Sequence, residues 1–345
     1  MKFTLSNFVA IAVLGPLSFT CATSVSAQSH ANTPLGIGLE SYEYPFPVHF
    51  LDFDMQGQFV RMAYMDVPAS GNANGSTVVL LHGKNFGGYY FADLIKHLSG
   101  EGYRVIAPDQ IGWGKSSKPD LRYSFQNLAA NTAQLLDHLG VSRIVLLGHS
   151  TGGMLAVRFA CSYPERVDRL ILEDPIGLED YRVKAPAQTD ETLFKDELKK
   201  TDPEKIRAFY AKYFAHPNPD VFGPLAEVQI RTTLSGEFPR LAKASALAYQ
   251  MIYEQPVVYD YAYLQPPTLL VLGDADHTAP FSNYATPEVQ KTMGHVVELG
   301  KELIKKVPHG KLIVIEQSGH IPHMEQPDAF QQALDTFVRE PKSSN

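Results

Sequence analysis

Six short apolar runs, each bounded by turn or charged residues, constrain this chain more than any other feature. They are Thr77-Val78-Val79-Leu80-Leu81, Arg104-Val105-Ile106-Ala107, Ile144-Val145-Leu146-Leu147, Leu170-Ile171-Leu172, Thr268-Leu269-Leu270-Val271-Leu272 and Leu312-Ile313-Val314-Ile315. Runs of this length without polar alternation suit strands covered on both faces, the environment of a parallel sheet. Between them lie helical patterns, such as Phe125 to Leu139 with Leu128, Leu135, Leu136 and Leu139 on helical spacing, and Met154 to Tyr163. Strand alternating with helix predicts an α/β fold: a mostly parallel central sheet with helices on both faces. Ahead of it, residues 51–67 alternate apolar and polar around Gln56-Gly57, which predicts an antiparallel hairpin, and Gly71 to Ser76 is a turn cluster.

One interval breaks the alternation. Residues 176–265 contain helical stretches (Glu191 to Lys200, Pro203 to Phe214, Pro224 to Leu234, Pro239 to Met251) and many tyrosines, among them Tyr249, Tyr253, Tyr259, Tyr261 and Tyr263, but no buried-type strand. Inserted between two sheet strands, the interval predicts a helical cap over the carboxyl edge, where ligands bind in open α/β sheets. Packing is the expected role of its tyrosines. The expected organisation is a core of residues 28–175 and 266–345 with a cap of residues 176–265.

The first 27 residues have a different character. Lys2 is followed by an apolar stretch from Phe8 to Phe19 and by small residues ending Val25-Ser26-Ala27, the pattern of a signal peptide cleaved after Ala27. The stretch is shorter than the roughly 20 apolar residues of a spanning helix, and Phe19 and Thr20 make a poor lipoprotein signal ahead of Cys21. The expected location is therefore exported, periplasmic or secreted, without stable membrane insertion. Cleavage removes Lys2 and no acid, taking the net charge from −7 to −8, and leaves Cys161 as the only thiol. A chain this long does not need disulfides. The acidic balance and the absence of a Lys/Arg cluster exclude a nucleic-acid partner. Nothing in the composition indicates an oligomeric state.

Gly148-His149-Ser150-Thr151-Gly152-Gly153 follows one buried-type run and opens a helix. A serine on such a sharp strand-to-helix turn needs strained backbone angles, and the flanking glycines let neighbouring chains approach. The helix N-terminus behind it favours a developing oxyanion. There is no Gly-Lys-Ser/Thr to make this a phosphate loop. Serine needs a base. His320 follows the run Leu312 to Ile315, at the same edge as Ser150; His323 is its rival but lies beyond Pro322. The orienting acid should also end a strand. Asp276 is preferred to Asp274, which lies closer to its strand, and Asp174 is a further alternative. The other histidines show no ligand spacing, so no metal is indicated.

From about Phe53 to Val338 the chain resembles the capped branch of the α/β-hydrolase superfamily. Leu81-His82-Gly83 resembles its oxyanion-loop motif, and Gly102 to Asp109 with Gly112-Trp113-Gly114-Lys115-Ser116-Ser117 its next strand and loop. Gly148 to Gly152 is the nucleophile elbow, Gly273 to Pro280 fits a pattern that falls on Asp276, and Gly319-His320 with Glu325 and Pro327 resembles the histidine motif. The resemblance implies an oxyanion hole from the backbone N–H groups of Thr151 and Lys84, and a reaction without metal or organic cofactor on a small-molecule substrate. Lys84 departs from the apolar residue usual there, and a solvent-directed side chain is expected. The interval from Asp276 to His320 looks long for the family and is expected to add a wall to the site. Epoxide hydrolases and haloalkane dehalogenases of the family carry aspartate at the position of Ser150.

These features imply acyl transfer to water by Ser150, His320 and Asp276, on a carboxylic ester or lactone. A C–C bond hydrolase and a cofactor-free perhydrolase or haloperoxidase use the same fold and triad. A non-catalytic binding protein of this fold would usually lack triad members.

Overall fold

The computed structural model describes residues 33–341, which build one eight-stranded sheet; the expected signal peptide lies outside the described residues. The strands are β1 (Val48–Met55), β2 (Gln58–Val67), β3 (Thr77–Leu81), β4 (Arg104–Pro108), β5 (Ile144–His149), β6 (Val167–Glu173), β7 (Thr268–Gly273) and β8 (Gly310–Ile315), in spatial order β1-β2-β4-β3-β5-β6-β7-β8. β2 is antiparallel to both neighbours, and every other pairing is parallel. The hairpin β1–β2 turns at Gln56-Gly57, where both residues take positive φ, of 51° and 76°.

The helices are α1 (Ala92–Gly100), α2 (Phe125–His138), α3 (Thr151–Ser162), α4 (Asp190–Leu198), α5 (Pro203–Ala211), α6 (Pro219–Thr233), α7 (Phe238–Glu254), α8 (Pro287–Gln290), α9 (Val296–Ile304), α10 (Pro322–Glu325) and α11 (Pro327–Arg339). Among the described residues no helix is long and apolar enough to cross a membrane.

Strand alternation makes two cores from one sheet. Ile144, Leu146, Leu170, Leu172, Leu270 and Leu272 pack on one face with side chains of α2, α3 and α9. Val145, Leu147, Ile171, Leu269 and Val271 pack on the other with side chains of α1 and α11. Most of the apolar runs are therefore buried on both sides. β8 departs from this: it is the sheet edge, and Lys311 and Ile313 point outward. An apolar run alone does not distinguish an edge strand from an interior one.

Helices α4 to α7 lie between β6 and β7, α4 against α7 and α5 against α6. α6 begins at Pro219, five residues ahead of the expected start at Pro224. The Asn218 side chain caps it by accepting from the Asp220 N–H, and Pro219 supplies a preset φ in the first turn. Pro224 is carried inside the helix at the loss of one backbone hydrogen bond.

The strand order places the site. From β3 the chain crosses to β4 on one side, and β5 then lies on the other, so the loops leaving β3 and β5 diverge and open a crevice at the carboxyl edge. Leu81 and Gly148 are partners across it. The turn after β5 fits only because two residues lack Cβ. A Cβ on Gly148 would lie 2.2 Å from the Gly152 carbonyl oxygen, and one on Gly152 would lie 2.1 Å from that of Leu81. Both obstacles are backbone and cannot swing away. Gly148→Ala should therefore lower stability by about 2 kcal/mol or more, read as a fall in the thermal unfolding midpoint; an unchanged midpoint would contradict this packing.

Candidate active site

Ser150 stands at φ 57°, ψ −119°, between the last residue of β5 and the first of α3. Positive φ is unfavourable for a residue with a Cβ and persists only where neighbours fix it. Here the Ser150 N–H donates to the Glu173 carbonyl at 3.0 Å, and its own carbonyl accepts from Gly153 at 2.9 Å and Ile176 at 3.3 Å. The hydroxyl is thereby held at the top of the sheet.

His320 follows β8. Its Nε2 lies 2.9 Å from the Ser150 Oγ, and its Nδ1 lies 2.8 Å from the Asp276 Oδ2. A carboxylate only accepts, so Nδ1 carries the hydrogen and Nε2 is left to accept the hydroxyl proton. The histidine backbone is fixed too: its N–H donates to the Tyr213 carbonyl at 2.6 Å, and the Tyr213 ring stacks on the imidazole with centroids 5.1 Å apart. Asp276 follows β7, and its Oδ1 accepts from the Thr278 N–H at 2.8 Å. Burial alone would raise the Asp276 carboxyl, but His320 and the Thr278 hydrogen bonds outweigh it and hold it below the usual range.

The rival residues have other partners. Asp274 accepts from the Ser318 N–H at 3.2 Å, tying the β7 and β8 loops together. The His323 Nδ1 lies 2.9 Å from Oε1 of Glu173, a carboxylate at the end of β6 with no exposure. Asp174, wholly buried, receives the Gly273 N–H on both oxygens at 3.1 Å. Burial, and then the negative charges of Asp276 and Glu173, raise the Asp174 carboxyl well above the usual range. Two adjacent buried carboxyls are thus pushed in opposite directions, Asp276 down and Asp174 up. Asp174, Asp276 and His320 present one possible metal-ligand atom each within 4.8 Å of one another. Both ring nitrogens of His320 are already engaged, so the cluster suits proton handling rather than ligation.

The loop after β3 runs against the nucleophile: a Cβ on Gly83 would lie 3.2 Å from the Ser150 Cβ. Thr151 is the first residue of α3, and its N–H has no partner within the helix. The Lys84 carbonyl accepts from the Trp113 indole N–H. The Lys84 side chain does not point to solvent, as expected from the sequence, but inserts into the cap. Its ammonium is 3.3 Å from Glu197 of α4 and 2.7 Å from the Ser245 Oγ of α7, and 5.2 Å from the centre of the Tyr249 ring. Burial alone would raise Glu197, but Lys84 and Lys200 bring it down to about 2. The loop after β3 and the helices between β6 and β7 are therefore joined by a buried ion pair.

The interval from Asp276 to His320 divides in two. Phe281 stacks on Tyr249 with centroids 4.1 Å apart and Tyr284 donates to Asp196 at 2.8 Å, closing against the cap, whereas α9 packs on β7 and β8 as their crossover helix. Tyr249 and Tyr253 pack around Phe281, and Tyr259 and Tyr263 are exposed. Tyr213 stacks on His320, and the Tyr90 hydroxyl lies 2.7 Å from His149 Nδ1 next to Ser150; no periodicity marked either.

Residues 76–327 match the alpha/beta hydrolase fold family, and the chain belongs to it as a hydrolase. A solved structure of a probable hydrolytic enzyme from Pseudomonas aeruginosa PAO1 is 42% identical with a TM-score of 0.87, over 90% of this chain and all of that one. A 2-hydroxy-6-oxononadienedioate/2-hydroxy-6-oxononatrienedioate hydrolase of Paraburkholderia phymatum is 27% identical over 82% of this chain and 92% of its own length. A haloalkane dehalogenase of Mycolicibacterium paratuberculosis is 35% identical over 38% of this chain, and the match spans 43% of that protein.

The upward shift of the Asp174 carboxyl has a measurable consequence. A group raised in the folded state contributes stability that is fully present below the unfolded carboxyl value, about 3.9, and is lost as pH rises toward the folded value. Asp174→Asn keeps the shape and has no proton to release. Its thermal midpoint should fall less than that of the wild type between about pH 4.5 and 8, whereas parallel profiles would mean that Asp174 is ionised in the fold.

Proposed function

We propose that this protein is an exported serine hydrolase that cleaves a carboxylic ester or lactone through an acyl-enzyme on Ser150. The observation that carries the reading is the buried line of hydrogen bonds from Ser150 Oγ through His320 to Asp276, at 2.9 and 2.8 Å. His320 takes the hydroxyl proton as Ser150 attacks the carbonyl, and Asp276 holds the tautomer and stabilises the imidazolium. The N–H groups of Thr151 and Lys84 receive the oxyanion. His320 returns that proton to the leaving alkoxide as the C–O bond of the substrate breaks, and water then repeats the sequence on the acyl-enzyme, giving a proton to His320, which passes it to the Ser150 oxygen as the acid leaves. None of these steps needs a metal or an organic cofactor.

A cavity of about 110 Å³ lies beside Lys84, Asn85 and Phe86, walled by Trp113 and by Leu241 of α7, and its lining does not include Ser150, Asp276 or His320. Lys2, the apolar stretch Phe8 to Phe19 and Val25-Ser26-Ala27 support export.

The relation to the Paraburkholderia phymatum hydrolase favours a second reading, cleavage of a C–C bond next to a ketone by the same residues. Both readings predict that Ser150→Ala is inactive. They separate on substrate: p-nitrophenyl acetate and a lactone panel against a 2-hydroxy-6-oxo dienoate. The ester reading expects turnover of the first group at least 100-fold above Ser150→Ala, about the scale of one strong catalytic contribution. Turnover of the dienoate alone would overturn it.

A further inference from the structure

His149 precedes the nucleophile at the end of β5 and has no exposed surface. A buried imidazole needs partners for both nitrogens, and it has them. Its Nε2 lies 2.7 Å from the His320 carbonyl oxygen, and its Nδ1 lies 2.7 Å from the Tyr90 hydroxyl. The Tyr90 hydroxyl in turn lies 3.3 Å from the Gly83 nitrogen.

Only one assignment satisfies all these contacts. The carbonyl can only accept, so Nε2 carries the hydrogen. A neutral imidazole then leaves Nδ1 as an acceptor for the Tyr90 O–H, and the phenol oxygen accepts from the Gly83 N–H. Burial, together with His320 and His323 close by, holds His149 well below the usual histidine range, in keeping with the neutral ring. Tyr90 is itself fixed, stacked on Phe86 with centroids 4.5 Å apart and an interplanar angle of 5°.

We propose that Tyr90 and His149 are positioning residues for the reaction at Ser150. Their hydrogen-bond chain, Gly83 N–H to Tyr90 to His149 to the His320 carbonyl, locks the oxyanion loop and the catalytic histidine into register around the nucleophile. The two ends of this chain come from loops after β3 and β8, which have no ladder bond between them. His149 belongs to the turn that carries Ser150, so it references both loops to the attacking atom. The His320 N–H is anchored on the cap at Tyr213, and its carbonyl is anchored on the core at His149. Misplacing any one of the three reacting parts by a fraction of an ångström slows attack without removing a reacting group.

The inference rests on the reading of Ser150 as a nucleophile, and the test separates the two. The probe is a fluorophosphonate, whose phosphonylation of Ser150 forms the O–P bond, expels fluoride and passes the serine proton to His320. Tyr90→Phe keeps the ring and its stacking and removes only the hydroxyl. Its second-order rate of labelling should fall about tenfold or more, while the fraction labelled at saturation stays close to wild type and the thermal midpoint falls only modestly, as His149 Nδ1 and the Gly83 N–H lose a buried partner. An unchanged rate overturns the inference; a wild type that does not label overturns the Ser150 reading instead. Nitrogen-15 spectra of the wild type decide independently of how the variant folds. His149 should be neutral with hydrogen on Nε2 near pH 7, and an Nδ1–H ring or an imidazolium there would overturn the chain.

Discussion

The backbone of Ser150, held at positive φ between two glycines, is the constraint on which the carboxyl edge depends. A hydroxyl on an ordinary strand-to-helix connection would lie along the sheet or against the helix. The left-handed residue lifts it above both, and the close approaches at Gly148 and Gly152 are what make that turn sterically possible. The cost of the strained angle, of the order of 1–3 kcal/mol, is offset by hydrogen bonds that bind both sides of Ser150 to β6 and α3. Ser150 is thus held in place by the sheet and helix around it.

Electrostatics then divides the labour among neighbours of similar chemistry. Four acidic residues end or follow β6 and β7, and each has a different partner. Asp276 is held below the usual carboxyl range beside the imidazole, Asp174 is raised well above it against Gly273, Asp274 accepts from the Ser318 N–H, and Glu173 faces His323. Ionising Asp174 as well would place like charges side by side in a buried site. On the other side of the cleft, the Lys84–Glu197 pair joins the helices between β6 and β7 to the loop after β3. A buried pair of this kind adds specificity of arrangement more than stability.

The interior of the sheet was legible because β3 to β7 are buried on both faces and show as unbroken apolar runs, and because the elbow glycines have no structural substitute. Ser150, His320 and Asp276 were visible for the same reason: each follows such a run. What escaped the sequence depends on partners far along the chain. Tyr90, His149 and Tyr213 carry no local periodicity that separates them from packing residues, and meet only when the loops after β3, β5 and β8 converge. The Lys84 side chain was expected in solvent because its partners, Glu197 and Ser245, are more than 100 residues away. α6 starts at Pro219 because the Asn218 cap decides the boundary, not the later proline.

The central claim is that one hydroxyl among many is activated by its setting. Peptide mapping after fluorophosphonate treatment tests it most directly, because the tryptic fragment Ile144–Arg158 contains both Ser150 and Thr151. The account predicts a single adduct on Ser150 in the native protein and none after unfolding before treatment. An adduct on another residue, or equal labelling of the unfolded chain, would contradict it.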